Sequence, residues 1–293
     1  MARLKDFEKA FLTLYQKRLH FLLEKTPSHF HSCPKEEIFR RARVVGSKIL
    51  AFQELPRAMD YMRKLLRDPY FFEGTVVLAQ RLSGARGRFE RSWHAPSGGL
   101  WLAIAFYEDF LPEIKGWFPI LIGVALAETV QHFGVPAKVK WVNDLWVSGR
   151  KLAGVLIEEE VLSGERWALV GVGLNVNNSL PEGLPAISLK EFLGRELSLP
   201  EVGAEFLAQL AKYYGLLRAM EARLAEGIEL PFAAIFNHFS DTLGRKVRFG
   251  KDLTREKGGV GRVLGLDPRG SLVIKTLSGE KIVLSSGEIA YLD

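Results

Sequence analysis

Two neighbouring stretches decide the fold: Lys138-Val-Lys-Trp-Val-Asn-Asp-Leu-Trp146 and Gly149-Arg-Lys-Leu-Ala-Gly-Val-Leu-Ile-Glu-Glu159. Each contains an apolar, β-rich run, and each run predicts a strand. Lys151 lies at the head of the second run, and Gly154 leaves that strand open to the close approach of a ligand. A lysine there could offset negative charge that develops at a reaction centre. Asn143-Asp144 could equally be only a turn between the two strands.

The segments on either side extend the pattern. Further apolar runs predict strands at Thr75–Ala79, Leu100–Phe106 and Trp167–Val176. The pattern of apolar residues predicts helices over the following segments: Lys5–Lys25, Pro34–Arg43, Trp117–Phe133, Val202–Leu224 and Pro231–Thr242. Phe52–Arg67 predicts the end of a strand followed by a helix. From Arg245 onward the composition changes to short β runs, and Asp267–Gly270 and Ser278-Gly279 are hairpin signals. Five such runs in about 50 residues predict a small antiparallel barrel.

The net charge of +6 belongs to the N-terminal part of the chain. Residues 1–48 hold eleven Lys/Arg against five Asp/Glu, and the remaining residues carry 29 of each sign. This basic segment could be a packing or interaction helix, or it could bind nucleic acid. No second helix patterned for a major groove follows it, so nucleic acid is an unlikely partner. The role of residues 1–45 stays open at this stage.

The composition also excludes several classes of protein. The lone Cys33 rules out an internal disulfide framework and a Cys-rich zinc site. His29, His31 and Cys33 alternate, and on an extended segment all three would point one way, so a metal site is conceivable. The competing interpretation is a surface loop, and we assign no metal ligands. No apolar run is long enough to span a membrane, so we expect no membrane partner and a cytoplasmic location.

Two more stretches are suited to ligand binding. Ser83–Trp93 combines two glycines with Arg86, Arg88 and Arg91, which offer charge-assisted hydrogen bonds to phosphate or carboxylate. Taken alone, this loop could be a solvated turn or an RNA contact. The glycines and amides of Gly171–Asn178 suit a surface that a planar heterocycle can approach, or they could form a structural turn.

Taken together, these stretches resemble the biotin–protein ligases of the biotin/lipoate ligase superfamily, in the monofunctional type without a DNA-binding domain. The resemblance covers roughly residues 45–293. Its strongest parts are Gly87–Trp101, Lys140–Asp144, Arg150–Gly154 and Gly171–Asn175. The resemblance implies an α/β (α+β) fold: a mixed-sheet, class II synthetase-like catalytic domain at 46–242 and an SH3-like barrel at 243–293, after a basic helical extension at 1–45.

The resemblance also implies a two-step reaction that uses ATP with Mg²⁺. The acid's carboxylate attacks the α-phosphate to give an acyl-adenylate and pyrophosphate, and a lysine of a biotin carboxyl carrier domain then accepts the acyl group. Lys151 matches the lysine that contacts carboxylate and phosphate, and Asp144 matches the residue that assists the attacking lysine. The remaining matches are to residues of the ligand loop and the nucleotide side of the site: Arg86, Gly87, Arg88, Arg91, Trp93, Gly98, Gly99, Asn143, Gly154 and Asn175. Of these, Arg88 is grouped with Lys151 and Asp144 as catalytic.

The sequence departs from the family where the ring of the acid would bind. Pro56-Arg-Ala-Met59 stands where the family carries Asp-Ser-Thr-Asn, Leu82 or Gln80 stands near its glutamine, and Ala85 replaces the first glycine of its ligand loop. Three functions therefore stay open: a biotin ligase with unusual ring contacts, a sister ligase for lipoate or octanoate, and a non-catalytic homologue that binds a ligand or partner. Retention of Lys151 and Asp144 argues against the third. Relatives of this type often dimerise sheet to sheet, and we expect Leu100–Phe106 to be the edge strand of a homodimer.

Overall fold

The computed structural model describes residues 3–292 and consists of eight α-helices, three short 3₁₀ turns and fourteen strands in that range. The helices are α1 (Lys5–Lys25), α2 (Lys35–Arg41), α3 (Ala58–Leu65), α4 (Pro112–Lys115), α5 (Trp117–His132), α6 (Leu189–Leu193), α7 (Leu199–Ala222) and α8 (Phe232–Phe239). The first nine strands are β1 (His29–Phe30), β2 (Cys33–Pro34), β3 (Ile49–Leu55), β4 (Val76–Leu82), β5 (Leu100–Tyr107), β6 (Lys138–Lys140), β7 (Asp144–Val147), β8 (Arg150–Leu162) and β9 (Glu165–Leu174). The last five are β10 (Lys246–Gly250), β11 (Gly259–Leu266), β12 (Leu272–Thr276), β13 (Lys281–Leu284) and β14 (Glu288–Tyr291). The predicted strands and helices are confirmed, with ends shifted by a few residues.

Strands β3 to β9 form one seven-stranded mixed sheet in the order β3-β4-β5-β9-β8-β7-β6. Only β3 and β4 run parallel, and the other neighbours are antiparallel. β5 pairs with β4 on one side and with β9 on the other. The prediction that Leu100–Phe106 is an exposed edge is therefore wrong, because its backbone groups are paired on both sides and cannot accept another sheet.

The two faces of β5 differ in side-chain size. Leu102, Ile104 and Phe106 belong to the large core with α5 and α7, whereas Ala103 and Ala105 face the smaller core with α3. Strand residues alternate between faces, so β5 presents its large aliphatic and aromatic residues to one core and these two alanines to the other. The small residues leave room for a cleft beside α3. Within residues 3–292, none of the helices is both long and apolar enough to cross a bilayer.

The basic N-terminal helix α1 packs against α7. The Phe11 ring is fully buried, and a Cβ added to Gly203 of α7 would lie 2.5 Å from it. The Tyr15 hydroxyl donates to the carbonyl of Val45 at 2.6 Å. The Leu4 amide donates to the Ala51 carbonyl at 2.8 Å, so the segment before α1 also covers the outer edge of β3. The extension is thus a packed part of the fold, and residues 3–45 contribute nothing to the wall of the cleft described below.

The segment His29–Cys33 forms a hairpin, with β1 and β2 paired around a turn at His31-Ser32. Both turn residues have positive φ, 49° and 62°. The alternative in which His29, His31 and Cys33 line one side of an extended segment is therefore wrong. The Cys33 thiol is fully buried, and burial is the main cause that raises its pKa.

Strands β10 to β14 form an antiparallel five-stranded sheet in the order β13-β12-β11-β10-β14. The predicted hairpins are confirmed, since β11 pairs with β12 and β12 with β13. The turn before β12 docks onto the first part of the chain. Trp117 Nε1 donates to the Pro268 carbonyl at 2.9 Å, and Trp141 Nε1 donates to the Gly270 carbonyl at 3.2 Å. These two indoles fix the C-terminal sheet beside β6 and α5.

Candidate active site

A cavity of about 510 Å³ lies between the α3 face of the large sheet, the loop at 83–93 and the C-terminal sheet. Ten of the twelve predicted site residues line it: Arg86, Gly87, Arg88, Arg91, Trp93, Asn143, Asp144, Lys151, Gly154 and Asn175. These residues come from four separate parts of the sequence, and the fold brings them to one cleft. Their roles in binding or catalysis stay predictions.

Glycines of β8 and β9 form the floor of the cavity. Gly154 is the register partner of Gly173, and the Trp93 indole lies on both of them. A Cβ at Gly173 would lie 2.9 Å from Trp93 Nε1, and a Cβ at Gly154 would lie 3.3 Å from the same ring. The two glycines therefore make the space that the indole occupies. Trp93 Nε1 is buried and has no hydrogen-bond partner among the described residues.

Lys151 and Asp144 form an ion pair at one end of the floor, with 2.7 Å between Nζ and Oδ2. β7 and β8 form a hairpin, and this places Asp144 at the first residue of β7 close to Lys151 near the start of β8. The Lys151 backbone is held by hydrogen bonds to Pro185 and Ile187. Its ammonium lies 5.3 Å from the centre of the Trp93 ring. A rigidly held cation therefore stands beside a flat aromatic face.

Lys140 is a second lysine of the cavity wall that the sequence did not single out. It is the register partner of Asp144 on the neighbouring strand, and its ammonium lies 4.2 Å from the centre of the Trp146 ring. Within residues 3–292, no carboxylate or carbonyl hydrogen bonds to it. Burial, chiefly, and the charge of Lys151 lower the pKa of Lys140. Sequence alone could not separate it from Lys138, which lies two residues earlier on the same face of the strand.

The loop at 83–93 is tied to the C-terminal sheet. Arg88 Nη1 donates to the Gly287 carbonyl at 2.6 Å, and Arg91 pairs with Glu288 at 2.7 Å and also with Asp252. The pKa of Glu288 is lowered: burial of the carboxylate raises it, but hydrogen bonds from Arg91 and from the Leu253 amide lower it by more. Arg86 pairs with Glu90 on the exposed side of the loop. The arginine loop is therefore closed against β14 in this structure.

The asparagines at the other side of the floor are hydrogen bonded to one another. Asn175 is 2% exposed, and its side-chain oxygen accepts from Asn178 Nδ2 at 3.1 Å. Asn178 in turn accepts from the Val176 amide at 3.0 Å. Asn143 is buried in the turn before β7. This network fixes the orientation of the Asn175 side chain at the cavity wall.

Gly98 and Gly99 are the two predicted site residues that do not line the cavity. The Gly98 carbonyl accepts from the Asn177 amide at 2.7 Å, with φ of +102° at Gly98. A Cβ at Gly99 would lie 2.0 Å from the Trp101 indole. Packing against neighbouring protein atoms, rather than approach of a ligand, accounts for glycine at both positions. No sequence signal separates these two glycines from those of the floor.

The far end of the cavity is mostly apolar, with one arginine. Met59, Leu82 and Leu156 line it together with Arg57, which the sequence did not single out. The Met59 sulfur packs on Gly171, where an added Cβ would lie 2.6 Å from it. Arg57 pairs with Glu158 at 2.5 Å. Gln80, the alternative to Leu82, is exposed and does not line the cavity.

A resident metal ion does not fit the side chains of this cleft. Among residues 3–292, no group of three or more His, Cys, Asp and Glu side chains is placed to hold one. Asp144, the acid at the charged end, is already paired with Lys151.

The fold and the cleft together define a class: an α/β protein whose mixed sheet and C-terminal β-sheet enclose a cavity with a cationic end. Comparison with known proteins narrows this class. Residues 52–177 match the model of the biotin/lipoate A/B protein ligase family. Residues 242–291 match the biotin protein ligase C terminal domain. The chain therefore contains a biotin/lipoate A/B protein ligase family domain followed by a biotin protein ligase C-terminal domain.

Curated relatives and solved structures agree with this assignment. The chain is 27% identical over 224 residues to the bifunctional ligase/repressor BirA of Bacillus subtilis, covering 73% of this chain and 65% of that protein. It is 29% identical over 228 residues to the biotin–[acetyl-CoA-carboxylase] ligase of Mycobacterium tuberculosis, covering 75% of this chain and 80% of that protein. The biotin protein ligase of Aquifex aeolicus, solved in complex with biotin and ATP, superposes with a TM-score of 0.67 at 23% identity, over 83% of this chain and 99% of that one. The last likeness shows the fold, a mixed α/β domain followed by an antiparallel β domain.

Proposed function

We propose that this chain is an ATP-dependent biotin–protein ligase, which adenylates biotin and transfers the biotinyl group to a lysine of a carrier protein. The observation that carries the proposal is the Lys151–Asp144 pair beside Trp93, on a floor of glycines and under a loop of three arginines. A fixed lysine and arginine donors are groups that stabilise negative charge on a phosphate and a carboxylate. The names of the relatives, several of them biotin ligases, support the same activity.

In the first step, a carboxylate oxygen of biotin attacks the α-phosphorus of ATP, and the bond to pyrophosphate breaks. Lys151 offsets the charge that builds on the phosphate and carboxylate oxygens, while Arg86 and Arg88 of the loop bind the phosphates. Trp93 packs against the nucleotide, and Asn143 and Asn175 hydrogen bond on its side of the site. Mg²⁺ would enter with ATP as part of the substrate and offset the charge of its phosphates.

In the second step, the amine of a carrier lysine attacks the acyl carbon, and the bond to AMP breaks. Asp144 lies 2.7 Å from the Lys151 ammonium and is exposed enough to meet an incoming amine and accept its proton. The partner is therefore a biotin carboxyl carrier domain or a similar acyl-carrier domain. A homodimer remains a proposal without an assigned interface, since β5 is an internal strand.

One observation favours a second candidate, a ligase for lipoate or octanoate. Met59, Leu82 and Leu156 give the far end of the cavity an apolar wall that suits an aliphatic chain. An apolar wall alone discriminates weakly between acids of similar size.

Carrier labelling tests the proposed function. The chain is incubated with ATP, Mg²⁺, biotin and an unmodified biotin carboxyl carrier domain, and the carrier is analysed by mass spectrometry. We expect one biotinyl group on one lysine of the carrier, and none on a carrier with that lysine changed to arginine. Failure to modify the carrier with biotin, lipoate or octanoate would contradict the proposed function.

A further inference from the structure

The outer face of the C-terminal sheet carries a row of four cations. Each of the neighbouring strands β10 to β13 contributes one exposed basic residue, and each is the register partner of the next: Lys246, Arg262, Lys275 and Lys281. Residues directly opposite one another on antiparallel strands point to the same face of a sheet. Neighbouring strands lie about 4.8 Å apart, so the cationic row spans roughly 14 Å across the sheet.

The placement of these charges does not stabilise the fold, because like charges directly opposite one another on adjacent strands repel. Lys275 stands between two other cations, Arg262 and Lys281. Within residues 3–292, neither Lys275 nor Lys281 makes an ion pair. A partner with carboxylates facing the row would offset this repulsion. Charge complementarity therefore favours an acidic surface as the occupant of this face.

Exposed apolar side chains flank the cationic row. Val283 follows Lys281 by two residues on β13 and is 58% exposed, and its register partner Val273 is partly exposed. Leu277 follows Lys275 by two residues, just beyond the end of β12, and is 79% exposed. A phosphate backbone has no use for apolar side chains, whereas a folded protein covers them when it binds. The mixture of cations and apolar residues thus favours an acidic protein over a nucleic acid.

The cationic row leads to the candidate active site. Arg248 follows Lys246 by two residues on β10, so it lies on the same face of the sheet, about 7 Å further along the strand. Arg248 is partly exposed and lines the cavity, and so does its register partner Ala290 on β14. A protein bound on the row therefore lies beside the cavity that contains Lys151 and Asp144.

We propose that the cationic row is the docking surface for the carrier protein, which binds it through an acidic surface of its own. This inference rests on the proposed function and states how the protein substrate of that reaction is held. Transfer requires a carrier lysine to reach the acyl carbon beside Asp144, so the carrier must bind next to the cavity. The row attracts the carrier over a distance and orients it, and the flanking apolar residues add contact area.

Lys275→Glu tests the inference on the full chain, because it inverts the charge in the middle of the row. The KM for an unmodified biotin carboxyl carrier domain is measured with ATP, Mg²⁺ and biotin at low ionic strength. We expect this KM to rise roughly threefold to tenfold, because attraction is replaced by repulsion. Added salt should raise the KM of the unaltered chain toward that of the variant.

Two further measurements on Lys275→Glu separate docking from catalysis and from folding. Pyrophosphate exchange with ATP and biotin needs no carrier and should stay as in the unaltered chain. Urea unfolding should show a variant at least as stable as the unaltered chain, because the new carboxylate would stand between Arg262 and Lys281. A weaker interaction with the carrier in an equally stable protein is the result that a purely structural role for Lys275 would not give.

Lys17→Glu is the matched control, because it makes the same change of charge at an exposed position of α1, which does not line the cavity. Its KM for the carrier should equal that of the unaltered chain. Equal carrier KM values in Lys275→Glu and Lys17→Glu would overturn the docking surface. Binding of duplex DNA that Lys275→Glu weakens, with an unchanged carrier KM, would also overturn it and identify a nucleic-acid surface. Absence of both exchange and carrier modification in the unaltered chain would instead overturn the proposed function.

Discussion

At the scale of single residues, the site is built around one lysine. Lys151 is fixed by backbone hydrogen bonds, by Asp144 and by the Trp93 face. We predict that Lys151→Ala lowers the rate of adenylate formation roughly a hundredfold to a thousandfold, the usual effect of removing a group that stabilises developing charge. Circular dichroism should show an unchanged fold. Lys64→Ala, an exposed lysine on α3, serves as the control, and equal rates in the two variants would show that Lys151 has no role in the chemistry.

Lys140 gives a pH dependence with a definite sign. Its pKa is lowered in the folded chain by burial and by Lys151, whereas the unfolded chain keeps the ordinary value of 10.5. Between these two pKa values the unfolded state binds more protons, so the free energy of unfolding should rise with pH as the window is crossed. We predict that Lys140→Met removes part of this rise in urea unfolding measured over a pH series. Lys138→Met, on the same strand, is the control, and parallel curves for the unaltered chain and Lys140→Met would refute the prediction.

Most of the site residues predicted from the sequence line the cleft, but the sequence did not predict many of the other residues that line it. Lys151 could be predicted because it stands at the head of a strongly apolar strand, and the arginines because they cluster in a glycine loop. Arg57 could not, since its partner Glu158 is 101 residues away and only the folded sheet brings them together. Gly98 and Gly99 were placed at the site because a glycine that admits a ligand looks the same in sequence as one that admits a neighbouring side chain.

At the scale of secondary-structure elements, the helix α1 shows how the basic N-terminal segment is used. Its apolar residues lie on α7, and its charged residues lie mostly outside. We predict that Phe11→Ala lowers the free energy of unfolding by about 3–5 kcal/mol, as expected when a buried ring is removed. Kinetic constants of the remaining folded protein should not change, because α1 does not line the cavity. Gln16→Ala, an exposed change in the same helix, should have little effect on denaturant unfolding, and a loss as large as that of Phe11→Ala would contradict the packing described here.

Strand positions and strand order differ in how far sequence can predict them. The apolar runs gave the positions of β4, β5, β8 and β9 to within a few residues. The order could not be obtained in this way, because β5 pairs with β9, which follows it after two helices and three other strands. Alternation of large and small residues in β5 was consistent with an exposed edge. In the structure both faces of β5 are buried, and the large residues pack in one core while the small ones pack in the other.

At the scale of the whole molecule, the C-terminal sheet completes the site. Arg88 and Arg91 connect the loop at 83–93 to Gly287 and Glu288, and Arg248 and Thr254 contribute to the same cavity. The sequence predicted a small antiparallel barrel here but not this contact, since nothing in a short β run indicates which surface it will meet. The site therefore depends on both family-matched segments of the chain.

This arrangement predicts that the loop is held closed by the C-terminal sheet. Arg91→Met removes the pairs with Glu288 and Asp252, so amide hydrogens of residues 83–93 should exchange faster with solvent. Arg81→Met is the control, because that exposed arginine makes only a long 3.7 Å pair with Glu54 just before the loop. Hydrogen exchange followed by mass spectrometry measures both, and an unchanged loop in Arg91→Met would show that the contact does not hold it.

The central claim is that this cleft joins an acid to AMP, and isolation of the intermediate tests it most directly. The purified chain is mixed with biotin, Mg²⁺ and ATP labelled at the α-phosphate, without a carrier, and the bound nucleotide is separated from free ATP. We predict that label is recovered as biotinyl-AMP retained by the protein, and that Lys151→Ala yields none above background. Recovery of ATP or free AMP alone, irrespective of the acid supplied, would contradict the account.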